Sequence, residues 1–97
     1  MRQVLLLESV GGIKNMPRPK TLDGEKNLIG ERLMELRRQN NMSQRFLAYQ
    51  LQLKGYDMDK NVITRIETKK RYVTDVELKA FTEIFHVSYE YLIEGKE

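Results

Sequence analysis

From residue 28 onwards, apolar side chains recur every three or four positions, and each recurrence is bracketed by residues that start or stop helices. Ile29, Leu33 and Leu36 form one stripe with Glu31, Arg32, Glu35 and Arg38 off it, which predicts a first helix from Leu28. Asn40-Asn41 supply a left-handed stop. Ser43 then stands as an N-cap, and Phe46, Leu47, Ala48 and Leu51 are expected to form the apolar face of a second helix ending near Lys54-Gly55. Gly55-Tyr56-Asp57 is turn chemistry, and Asp59 caps a third helix over about residues 60–68 with Val62, Ile63 and Ile66 inward. Thr74-Asp75-Val76-Glu77 is a capping box flanked by the staple pair Val73 and Leu78, so a fourth helix starts at Asp75 and runs to about Phe85. Ser88 caps a short fifth helix through Tyr91, Leu92 and Ile93, with Val87 and Leu92 as its staple. Five short helices and no strand period place the chain in the all-α class.

Residues 1–27 carry Gly11, Gly12, Pro17, Pro19 and Gly24 without a sustained apolar period, and read as a flexible N-terminal arm ahead of a folded unit at 28–97. The arm's Lys14, Arg18, Lys20 and Lys26 suit either a solubilising tail or a strand laid into a DNA minor groove. Purine-rich codons for Val10-Gly11-Gly12 would resemble a bacterial ribosome-binding site, and three codons later stands Met16, a candidate for the native start. The run at Leu5-Leu6-Leu7 is far shorter than a signal core or a membrane span.

Ninety-seven residues suffice for one small domain with a modest core, not for a catalytic and a regulatory domain together. With no cysteine there is neither a disulfide framework nor a thiolate metal site, in keeping with a cytoplasmic protein. His86, the single histidine, reads as a helix-end residue. No nucleophile and base stand in plausible spacing, no glycine loop cradles phosphate, and no cofactor or small-molecule site is signalled, so an enzyme is not expected. The net charge of +3 is mild, but its distribution is uneven. Residues 31–73 hold ten Lys/Arg against five Asp/Glu, whereas residues 74–97 hold two against six. One end of the domain is suited to a polyanion and the other is kept from it.

The stretch NVITRIETKKR, Asn61 to Arg71, carries this cationic excess opposite its apolar face. Together with IGERLMELRRQNNMSQRFLAYQL before it and VTDVELKAFTEIFHVSYEYLIEG after it, it resembles the lambda-repressor-like, Cro-type helix-turn-helix family of bacterial and phage regulators, over Ile29 to about Gly95. The resemblance implies a compact five-helix domain whose second and third helices form the helix-turn-helix, the third lying in the major groove of double-stranded DNA. A major groove about 12 Å wide admits one helix, and polar side chains on it reach base edges. By that resemblance Lys60, Asn61, Thr64 and Arg65 read bases, while Gln44, Lys69, Lys70 and Arg71 hold the backbone. Arg37 and Glu67 look like the family's structural ion pair between the first and third helices.

Two departures from the family are visible. The connection QLKGYDMDK is about five residues longer than the common form, which brings Lys54 or Tyr56 within reach of the DNA backbone. Lys69 stands where the family has glycine, at a cost of about 1 kcal/mol if φ is positive there. The resemblance further implies a transcription regulator, acting as a repressor, that binds an inverted repeat as a homodimer with half-sites ~34 Å apart. The five tyrosines read mostly as partly buried fillers, with Tyr89 and Tyr91 as candidates for the subunit interface at the C-terminal helix. Alternatives from other classes are an antitoxin or phage-type regulator whose main role is to hold another protein, and an RNA binder. The first lacks a long apolar tail after Ile93; the second lacks stacking aromatics on the basic face.

Overall fold

Four of the five helices begin where a side-chain oxygen accepts from the backbone N–H three residues on, in a computed structural model that describes residues 20–96. Ser43 accepts from Phe46 N to open α2 (Gln44–Leu53) and Asp59 from Val62 N to open α3 (Lys60–Glu67). Thr74 and Glu77 form a complete capping box on α4 (Asp75–Phe85), and Ser88 accepts from Tyr91 N to open α5 (Tyr89–Glu94). Each expected cap is in place. The arm up to residue 19, including Met16, Lys14 and Arg18, lies outside the described residues.

The first helix, α1 (Gly30–Gln39), starts differently. Its N-cap Ile29 has no capping side chain, and Asn27 supplies the acceptor from two positions earlier, its Oδ1 receiving Ile29 N at 3.1 Å and Gly30 N at 2.9 Å. The same amide donates to Ile66 O and Arg71 O at 3.1 and 2.8 Å. Asn27 is therefore buried and fully bonded, and it belongs to the folded unit rather than to the arm in which the sequence places it. Leu28, expected to open the helix, is exposed ahead of it.

The first three helices end alike. Asn41, Gly55 and Lys69 each take positive φ just past α1, α2 and α3. In each case that residue's N–H and the next one's both donate back to helix carbonyls, as in Lys69 N to Ile66 O and Lys70 N to Arg65 O, both 2.9 Å. Lys69 thus accepts the left-handed conformation that glycine would take at no cost.

The five helices, with no strand among the described residues, enclose one core of Ile29, Leu33, Leu36, Leu47, Ala48, Leu51, Ile63, Ile66, Ala80, Phe81, Phe85 and Leu92, completed by Met58. Met58 comes from the long α2–α3 connection, and at 2% exposure it explains why those extra residues do not float. Gln52 Nε2 holds the Met58 carbonyl at 3.0 Å, and the Tyr56 hydroxyl donates to Glu83 Oε1 on α4 at 2.7 Å. That hydrogen bond, then burial, raises the Tyr56 pKa and keeps the phenol protonated. Tyr56 is engaged with α4, not free for the backbone contact considered from sequence.

Phe46 is the clear misplacement. It is 46% exposed, and the inward face of α2 is Leu47, Ala48 and Leu51 alone. Phe46 stands about 100° round the helix from Leu47, so with Leu47, Ala48 and Leu51 facing in it is turned outward.

The start of α1 abuts the end of α3. A β-carbon on Gly30 would lie 2.5 Å from Ile66 O and 3.0 Å from Glu67 O, both backbone atoms. Replacing a helical glycine with alanine ordinarily gains up to about 1 kcal/mol. Gly30→Ala is expected to reverse that sign and cost about 1–3 kcal/mol through enforced separation of α1 from α3, read as a lowered urea midpoint at unchanged slope.

Candidate nucleic-acid interface

One buried network sets the position of α3. Glu67, in its last turn, is 3% exposed, and its carboxylate receives Arg37 Nε at 2.6 Å and Arg37 Nη2 at 3.0 Å from α1. Gln44 Nε2, at the start of α2, donates to Glu67 Oε1 at 2.9 Å, and Gln44 Oε1 accepts from the Thr64 hydroxyl at 2.8 Å. Arg37 Nη1 also holds Met42 O in the α1–α2 turn at 2.9 Å. The Arg37–Glu67 pair is thus present as expected, and three helices share one two-pronged charge-assisted contact.

Beyond that network the outer face of α3 is open. Lys60, Asn61 and Arg65 are exposed, and no hydrogen bond or ion pair within the described residues occupies their side chains. They occupy one side of the helix because residues 60, 61, 64 and 65 are one turn apart in pairs, opposite Ile63 and Ile66. Thr64 lies between them but is half-buried, its hydroxyl directed to Gln44 or back to Lys60 O. It positions Gln44 more than it presents a polar group outward.

The four residues expected to hold a backbone divide unevenly. Lys70 is exposed and its side chain is unpaired. Lys69 Nζ sits 3.1 Å from Glu31 Oε2, a hydrogen bond that raises the lysine pKa and keeps it charged at any physiological pH. Arg71 Nη1 lies 2.8 and 2.9 Å from the two oxygens of Glu77, so its charge is largely answered by the α4 capping box. Gln44 has both ends of its amide engaged but keeps one N–H.

Two contributors were not assigned from sequence. Lys26 lies over the Tyr72 ring, 5.6 Å from its centroid, and joins Arg65, Lys70, Arg71, Tyr72, Val73 and Thr74 around an open concavity of about 410 Å³. The signal for Lys26 was present in the arm's basic residues, but not its docking beside the α3–α4 connection. Asn27, which ties that connection to α1, was missed because its partners are backbone carbonyls far along the chain.

Among the described residues no group of His, Cys, Asp or Glu could hold a metal ion, and no helix is long and apolar enough to cross a membrane. Searches among protein-family models, curated proteins and solved structures found no match to this chain.

Removing one member of a buried ion pair leaves the other charge unanswered. Arg37→Leu and Glu67→Leu are each expected to cost about 3–5 kcal/mol. The double substitution should cost much less than the sum, and denaturant unfolding of the four proteins in a cycle gives the coupling directly.

Proposed function

We propose that this protein binds double-stranded DNA in a sequence-specific manner and regulates transcription, with α2 and α3 acting as a helix-turn-helix and α3 entering the major groove. The observation that carries the reading is the outer face of α3: Lys60, Asn61 and Arg65 are exposed and unpaired on a helix fixed from behind by the Arg37–Glu67–Gln44 network. A helix held from behind fixes where these side chains start, so only their own rotamers have to be ordered when they meet base edges. An Asn61 pair with adenine or an Arg65 pair with guanine discriminates by about 1–3 kcal/mol each.

Backbone contacts fall to Lys70, to Lys26 across the concavity, and to the free N–H of Gln44 at the α2 N-terminus. Lys69 and Arg71 contribute less, since Glu31 and Glu77 already answer their charges. The supporting features agree with the resemblance to the lambda-repressor-like family, and the acidic Glu90 and Glu94 lie on α5 rather than on the cationic α3.

A single helix reads few base pairs, and non-specific affinities near 10⁻⁴–10⁻⁶ M would lose it among competing sites, so we place a homodimer on an inverted repeat. The C-terminal helix offers Tyr89, half exposed, for that contact; Tyr91 is occupied against Arg32, 5.9 Å from the ring centroid, and Leu92 is in the core. A domain of this size seated on a promoter blocks it, which makes repression the expected outcome.

Selection from a random duplex pool is the first test, and an enriched inverted repeat is expected; DNA retained without any enriched motif would reduce the α3 face to an electrostatic holder. On the selected site, Arg65→Ala should relax one base position. Lys70→Ala should weaken specific and random duplexes alike and lower the salt slope by about one. Identical behaviour of the two variants on both duplexes would refute the division into readers and holders.

A further inference from the structure

The helix α2 is apolar on two sides. Its inward side is Leu47, Ala48 and Leu51, and on the opposite side, roughly half a turn round, stand Phe46, Tyr49 and Leu53, exposed by 46, 54 and 64%. Phe46 and Tyr49 rings touch at a centroid distance of 6.4 Å, so the three begin a continuous stripe rather than isolated surface residues. Single exposed apolar side chains are ordinary, but three in helical register on the back of an already packed helix are the mark of a second packing partner.

The charge around the stripe selects among partners. From Gln44 to Lys54 the helix and its C-cap carry Arg45 and Lys54, both exposed and unpaired, and no carboxylate. A second copy of the chain fits poorly. A twofold axis across α2 would set Phe46 against the partner's Leu53 and bring Arg45 beside the partner's Lys54. A twofold axis along α2 would bring like residues together at both ends. Either arrangement buries an apolar stripe between cations with no acid to answer them. The carboxylates that follow α2 in the chain do not help: Asp59 is committed to Val62 N, and Asp57 lies beyond the Gly55 turn.

We infer that the outer face of α2 is a docking surface for an acidic amphipathic helix of another protein. Such a helix would lay apolar residues at i, i+3 or i+4, and i+7 along the roughly 10 Å from Phe46 to Leu53, with carboxylates roughly 13 Å apart meeting Arg45 and Lys54. The inference does not rest on DNA binding, and it is tested without DNA.

The probe is a synthetic helical peptide with leucines at i, i+3 and i+7 flanked by glutamates, compared with the same peptide carrying lysines in their place. Titrated into the isotopically labelled full chain, the acidic peptide is expected to shift backbone amides of residues 44–54 and to bind more weakly as salt rises. Phe46→Ala or Leu53→Ala should weaken it about tenfold while the thermal midpoint stays put, since neither side chain is in the core. Equal binding of the lysine peptide, shifts mapping away from α2, or no binding at millimolar peptide would each overturn the proposal. So would sedimentation showing a dimer of the chain alone that Leu53→Glu dissolves, because the stripe would then belong to a second copy.

Discussion

Glu67 is a carboxylate with no access to water, and most of the domain's geometry follows from how that charge is answered. Burying an isolated carboxylate costs several kcal/mol at least, so the ion is tolerable only with its lone pairs filled. Arg37 fills two and Gln44 a third. Each donor comes from a different helix, and each must therefore be where it is for the charge to be buried at all. The pair adds little net stability over an apolar substitute; what it fixes is the mutual placement of α1, α2 and α3, for which hydrophobic packing alone accepts many near-equivalent solutions. The outer face of α3 inherits that precision, because Thr64 is joined to Gln44 and Glu67 closes the helix from inside.

A second constraint works through backbone rather than charge. The start of α1 and the end of α3 approach too closely for a side chain at Gly30, and Asn27 bridges them by satisfying Ile66 O and Arg71 O. The left-handed turn at Lys69 is what allows α3 to stop there and hand its carbonyls to that bridge. The strain at Lys69 is offset in place by the closed pair of end-of-helix hydrogen bonds and by Glu31, so a glycine is dispensable here without a different route out of the helix.

Helix boundaries were legible in the sequence because they are local: a serine, threonine or aspartate that accepts from three residues on, and an asparagine or glycine that turns the chain, act within one turn. Four N-caps, the left-handed stop at Asn41 and the turn at Gly55 could be read that way. The ion pair came from resemblance, since a thirty-residue separation leaves no local trace. What the sequence did not disclose depends on where the rest of the chain lies. Met58 looks like a loop residue until the connection folds onto the core. Phe46 looks like a core residue until Leu47 and Ala48 take the inward side. Asn27 looks like the end of an arm until two distant carbonyls come to it. The division among Lys69, Lys70 and Arg71 is of the same kind, for only the packed domain sets Glu31 and Glu77 beside two of three adjacent cations.

The two proposed surfaces share one electrostatic field, and that links them. A phosphate backbone at α3 and an acidic helix on α2 would both draw on the cationic half of the domain. The α2 stripe faces away from the core, however, so the two anions would lie further apart than the roughly 8–10 Å between packed helix axes and would couple mainly at low ionic strength. Where the Debye length exceeds their separation, the two anions repel. Binding of either would therefore weaken the other, reciprocally and by the same factor, without any change of shape. An acidic partner would weaken the hold on DNA through charge, and the effect would fade as salt shortens the range of the field. Such coupling needs no change of shape, so it can operate across a junction held together by Arg37, Glu67 and Gln44.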